Sequence, residues 1–271
     1  MRPLPPSIDI LHSRLLESGN SARHWLAEWW QLINLGAMML VLLMSPSSFN
    51  TASRRQLALR IYTSAAPLLL GFSVLCALLT MVLTRIVLTS AQNYGLSQYA
   101  LQVVIRVLVL EIVPLFVAVF VALRCTIPDG AELTLLQAGG ALEAMRLKGI
   151  DPIRREVLPR VLAGLLSGIT LAALSSIVAL VTAYLTAYGL TLSGIPGYVR
   201  LSGQLFSPAV STIFAVKTVL FCLAVSLIPM ASALYGLRGA TVRSSAEMRG
   251  LVRMFAVILL IEMASLVGNY Y

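Results

Sequence analysis

Charge is scarce in this chain. Only 11% of its 271 residues are Asp, Glu, Lys or Arg, against roughly 25% in a soluble domain. Together with 58% hydrophobic residues, that shortage leaves too little polar surface for a water-soluble fold. Acidic groups are the scarcer sign, 11 against 20 Lys and Arg, and the net charge is +9. The basic residues form no stripe interleaved with aromatics, so nucleic acid is not implied. Basic loops are instead expected of an inner-membrane protein. Histidine is nearly missing. His12 and His24 both lie in the N-terminal polar segment, outside any apolar run, which disfavours a His-dependent intramembrane protease or phosphatase. Cys76, Cys125 and Cys222 are far apart without CxxC spacing and read as small buried hydrophobes. No HExxH, paired Asp motif or metal-ligand cluster appears, so neither a catalytic residue nor a metal site is assigned. No GxxxxGK(S/T) loop appears either, so any ATP that drives the protein is bound by another polypeptide. Residues 1–28 carry charges of both signs and no short apolar core with a small-residue cleavage site. They are therefore not read as a signal peptide.

What the chain has in plenty is apolar runs longer than the ~18 residues that cross a bilayer. They predict an all-α integral membrane protein with spans at about 61–88, 99–123, 161–190, 206–235 and 254–267. Residues 25–44 open on Trp25, Trp29 and Trp30, and tryptophan favours the membrane interface. This segment reads as an N-terminal interfacial helix in the cytoplasmic leaflet; the competing reading is a full span. Pro46 and a Ser-rich stretch then break the chain, so residues 1–53 form one segment and 54–271 the membrane domain. The third span carries Gly164, Gly168, Ala172 and Ser176 at four-residue spacing. Such a row makes a packing face, within the subunit or at a dimer seam.

Lys and Arg set the orientation. Arg54, Arg55 and Arg60 precede the first span; Arg124, Arg146, Lys148, Arg154, Arg155 and Arg160 lie between the second and third; Arg238, Arg243, Arg249 and Arg253 form a basic loop before the last. The opposite loops hold only Arg85 and Arg200, the latter in a short Gly/Pro-rich loop at 194–200. The asymmetry predicts a cytoplasmic N-terminus and a periplasmic C-terminus.

Ionisable residues inside spans usually face a cavity or a partner. Glu111 precedes Pro114, where a helix bends or loses a backbone bond. It reads either as a substrate-cavity carboxylate or as a paired structural one. Glu262 reads as structural, and Lys217 as snorkelling outward. The polar insert 123–160 is the other informative region. Asp129 stands where it caps a helix with Glu132 three residues on. Gly149 is placed to stop that helix, and Asp151-Pro152 to begin another leading into the third span. A large polar insert held on one side of a membrane protein suits the docking of something soluble, as well as a plain solvated loop helix.

The stretch GIDPIRREVLPRVLAG at 149–164 resembles the Gly-(Ile/Val)-Asp-Pro-(Ile/Leu)-Arg…Pro-Arg hallmark of MlaE/YrbE-type permeases. These are the membrane subunits of bacterial ABC lipid transporters that work with MCE proteins. Without gaps upstream, Glu111 and Pro114 match the family's Arg-Glu-x-Gly-Pro, Arg124 its Gly-Arg-x-Gly-Ser, Glu132 its Ala-Glu-x-Gly and Arg146 its Ala-Leu-Arg. Gln92 and Tyr94 sit where Gln-Gly-Tyr occurs in some members, and Val216-Lys217-Thr218 looks like the family's Lys-Ser pair. Departures mark a divergent member: Leu110 replaces the family's Arg, Val113 its Gly, and Gly139-Gly140-Ala141-Leu142 its Thr-Glu-Gln stretch.

The resemblance implies a permease subunit that moves phospholipid or a similar lipid between the bacterial inner membrane and a periplasmic MCE protein. It implies a cytoplasmic coupling helix at about 130–148, between the second and third spans, against which a separate ABC ATPase docks. A second permease copy or homologue completes a dimer, and the chain needs no cofactor of its own. By the same resemblance Glu111, Tyr94 and Gln92 line the lipid cavity, while Glu132, Arg146, Arg124 and Glu143 serve ATPase coupling. A secondary transporter would show inverted repeats, and none is visible in five spans. A non-transporting structural subunit of such a complex stays open.

Overall fold

The computed structural model describes residues 29–39, 41–42, 51–95, 97–235 and 243–270. His12, His24, Trp25 and the break at Pro46 lie outside the described residues, as do 236–242 of the basic loop. The described residues form helices and no strand, as an apolar chain in lipid must when every backbone group is to be bonded within its own segment. Five helices are long and apolar enough to span a membrane: Leu69–Asn93, Tyr99–Ala138, Ile153–Tyr188, Pro208–Tyr235 and Met248–Asn269. The expected class and span count hold, with shifted boundaries.

Helix α1 (residues 29–39) lies within the stretch read as interfacial. Its Leu35 and Met39 are fully buried against Leu133, Leu162 and Met230, whereas Trp30 and Ile33 face outward. Helix α2 (Thr51–Asn93) holds the first span. The second span is one continuous helical rod made of α3 (Ser97–Val104), a π-helix Ile105–Ile112, α4 (Val113–Val121), a π-helix Ala122–Thr126 and α5 (Ile127–Ala138). Its 40 residues at 1.5 Å each give a length of about 60 Å, twice the ~30 Å hydrocarbon thickness. The rod therefore leaves the membrane as an arm, and α5 is that arm.

Here the structure differs from the expected coupling helix at about 130–148. Residues 130–138 complete the arm, and the chain then turns at Gly139-Gly140 before a short α6 (Ala141–Leu147). Gly140 adopts φ 72°, a left-handed conformation that glycine takes at little cost, so paired glycines split the expected helix in two. Gly149, at φ 72°, ends α6. Asp151 accepts a hydrogen bond from the Ile153 amide at 3.0 Å, starting the π-helix Ile153–Val157 that leads into α7 (Leu158–Tyr188).

The expected Gly/Pro loop at 194–200 is mostly helical: α8 (Ile195–Leu205) begins with Pro196 in its first turn, where a missing N–H costs nothing. Tyr198 anchors α8 by donating to the Leu180 carbonyl at 2.8 Å, and it packs edge-on against Tyr184 and Tyr188. Helix α9 (Pro208–Tyr235) follows. Helix α10 (Arg243–Tyr270) already includes Arg243, Arg249 and Arg253, so much of the expected basic loop is helix.

The small residues of α7 pack within the subunit. A Cβ on Gly164 would lie 2.7 Å from Ser226 Oγ, and one on Gly168 2.5 Å from Cys222 Sγ. Glycine is what lets α7 and α9 approach this closely. The three cysteines are buried and in no disulfide, as expected. The first and last spans are only 22% and 17% buried, against 50–56% for the inner three. Their outer faces, with Leu70, Leu78, Ile86, Leu259 and Met263 exposed, are left for lipid or another chain.

Candidate functional site

A buried polar cluster is built around Lys217 of α9. Its side chain is 2% exposed, so it does not snorkel outward as expected. Instead it forms ion pairs with Glu111 and, at 2.8 Å, with Glu262 of α10. The backbone explains why the ammonium settles here. Pro114 offers no N–H to the carbonyl four residues earlier, which is Leu110, and Lys217 Nζ donates to that carbonyl at 3.4 Å. The π-helix at 105–112 and the following proline thus open a backbone acceptor beside the carboxylate. The side chain across the interface fills the gap, as orphan polar groups in lipid require.

Helix α10 closes the cluster. Asn269 Nδ2 donates to Glu111 Oε1 at 3.2 Å, and the Asn269 carbonyl accepts from Arg106 at 2.9 Å. Glu111, Lys217 and Glu262 therefore form one network across the second, fourth and fifth spans. Phe221 lies one turn on, its ring centroid 5.7 Å from Nζ. Glu262 and Asn269 were not assigned a site role from sequence. The available signal was the charge pairing of three ionisable residues inside separate spans, which demands partners.

Gln92 and Tyr94 are not brought to this cluster. Both are exposed at the end of α2, Tyr94 at 81%, and neither is bonded to Glu111.

The residues expected to serve ATPase coupling divide into three places. Glu143 and Arg146 of α6 face each other at 3.6 Å and line a cleft of ≈ 210 Å³ with Gln137, Leu142, Ile153 and Tyr235. Glu132, on the arm, pairs with Arg160 at 3.2 Å. Arg124 is exposed on the π-helix between span and arm. Arg160, the closing Arg of the Gly-Ile-Asp-Pro…Pro-Arg stretch but given no site role from sequence, is 2% exposed. No group of three or more metal-ligating side chains occurs among the described residues.

The chain thus combines five apolar helices, a buried charge network within them and a polar cleft at the end of a rod too long for the bilayer. No curated protein matched it. The sequence model of the family described as Permease MlaE matches residues 57–267, from the first span through the last and across both polar regions. This multi-pass membrane protein belongs to the MlaE permease family.

Proposed function

We propose that the chain is the permease subunit of an ABC transporter that moves phospholipid, or a lipid of similar size, between the bacterial inner membrane and a periplasmic MCE protein. A separate ATPase supplies the energy. The observation that carries this reading is the single rod Tyr99–Ala138. It holds Glu111 of the buried cluster within the membrane and, roughly 30 Å further on, Glu132 and the rim of the polar cleft outside it.

In this reading the cleft bordered by Gln137, Glu143 and Arg146 faces the cytoplasm and receives the ATPase, with Glu132 and Arg124 bracing the arm. The N-terminus is cytoplasmic and the C-terminus periplasmic, consistent with the basic residues gathered at the cleft end. A second permease copy, or a homologous one, completes the core against the poorly buried first and last spans. The lipid occupies an apolar groove between the two copies, with Glu111 contributing polarity and with Tyr94 and Gln92 at its outer end. Few polar groups among many Leu, Val and Phe suit a headgroup with long tails. Closure of the ATPases moves the arms as rigid bodies and changes the width of that groove.

The test is purification of the tagged chain from native membranes, then reconstitution with its copurifying proteins and a fluorescent phospholipid. An ABC ATPase and an MCE protein should copurify, and ATP should drive lipid transfer. A photo-crosslinker at position 94 should capture lipid. Absence of any ATPase rejects the reading. A bound ATPase with no ATP-dependent lipid movement makes the chain a structural subunit.

A further inference from the structure

Arg160 is the largest fully buried side chain among the described residues. It stands in the first turn of α7, where the third span begins. One guanidinium nitrogen pairs with Glu132 of the arm at 3.2 Å, and the other with Glu156 of the π-helix leading into α7 at 3.1 Å. The second nitrogen also donates to the Glu156 carbonyl at 3.3 Å. A buried guanidinium is costly unless its geometry is satisfied, and its planar fork suits two carboxylates better than an ammonium would. Its Nε has no acceptor among the described residues. The arm is separately seated on α9: Gly130 lets it approach the Pro229 backbone, where an added Cβ would lie 3.3 Å from the carbonyl. Gln137 also donates to the Leu234 carbonyl at 3.1 Å. Close packing and a side-chain bond to a carbonyl thus join the arm to the fourth span, while a charged fork joins it to the third.

We propose that Arg160 is a positioning residue that clamps the arm to the third span, so that displacement of the arm carries α7 with it. This rests on the reading that an ATPase acts on the arm. Without the clamp, a push at the cleft bends α5 and reaches α7 through α4 and α9. With it, the rod and α7 move together, and α7 is the helix that packs most extensively on the first span. The π-helices at 122–126 and 153–157 flank the clamp on both strands of the connection. Such segments depart from regular α-helical bonding and are places where helices kink.

The experiment compares wild type, Arg160→Gln, Arg160→Lys and Glu132→Gln in the reconstituted complex, reading ATP hydrolysis and lipid transfer separately. For Arg160→Gln the ATPase should remain bound and hydrolysis stay within about twofold, while lipid moved per ATP falls about tenfold. Arg160→Lys should recover part of the loss, and Glu132→Gln should likewise lower the lipid moved per ATP. Proportional loss of hydrolysis and transfer, or an unchanged ratio, overturns the clamp. A distance measurement between spin labels at Leu135→Cys and Leu166→Cys reads the clamp without transport. Its distribution should broaden in Arg160→Gln, and an unchanged distribution overturns the proposal. If the wild-type complex hydrolyses no ATP, the proposed function fails, and this second measurement still decides the clamp.

Discussion

Lys217→Met isolates the contribution of the intramembrane cluster. Methionine keeps most of the length and apolar volume of the lysine stem, so the cavity left behind is small. What disappears is the ammonium between two carboxylates whose side chains are 8% and 14% exposed, and with it the donor to the Leu110 carbonyl. Removing one member of a buried ion pair costs about 3–5 kcal/mol, because an uncompensated charge stays behind. A neutral hydrogen bond between transmembrane helices contributes only about 0.6 kcal/mol on average. The two readings of the cluster therefore differ by several kcal/mol. Equilibrium unfolding in mixed micelles, followed by intrinsic fluorescence, should show the larger loss. The triple variant Lys217→Met/Glu111→Gln/Glu262→Gln removes all three charges together and should return to within about 1–2 kcal/mol of wild type, as neutral replacements of buried ion pairs commonly do. A single variant that loses less than about 1 kcal/mol, or a triple variant no better than the single, refutes the reasoning.

Three further outcomes follow from the geometry. Arg146→Glu should leave folding intact, since the side chain is 55% exposed and its Glu143 partner 70% and surface pairs are weak; it should reduce ATPase copurification, and undiminished recovery of the motor rejects the docking role. Gly168→Ala places a methyl 2.5 Å from Cys222 Sγ and should cost about 1–3 kcal/mol by overpacking; thermal denaturation should show the loss and its partial relief by Cys222→Ala, and no relief would mean that another contact sets the helix spacing. Burial pushes the Tyr198 phenol up to about 12, above the ordinary value near 10. The folded state therefore holds this proton more tightly than the unfolded state, and the associated stability is present below about pH 10 and lost as pH rises toward about 12. Ultraviolet titration of tyrosinate should show a late-ionising group that vanishes in Tyr198→Phe; if the late step persists, another tyrosine carries it.

Much of the membrane architecture follows from composition alone. A chain so short of charge, with long apolar runs, has few ways to satisfy its backbone in lipid, and helices of bilayer length are the local solution. The side on which Arg and Lys gather, the stop at Gly149 and the start at Asp151-Pro152 are likewise local properties, whereas the break at Gly139-Gly140 went unread within an expected single helix. Glu111 was legible for the same reason: a carboxylate inside an apolar run, next to a proline, stands out against its own neighbours.

The partners of those residues were not local. Lys217 and Glu111 lie 106 positions apart and Asn269 and Glu111 158 apart, so only helix packing decides that they meet. Arg160 belongs to the stretch that carries the family resemblance, yet its burial was not legible, because burial is a property of what folds over a side chain. The rod from Tyr99 to Ala138 hid its continuity behind a polar stretch at Arg124–Glu132. Apolarity marks where a helix is in lipid, and not where the helix ends. Sequence determined that the protein crosses a membrane and which end gathers positive charge, since hydropathy and charge act residue by residue. Only the tertiary structure decided which charges neutralise one another and which helices move together, since those depend on distances that side chains reach only once the helices have packed.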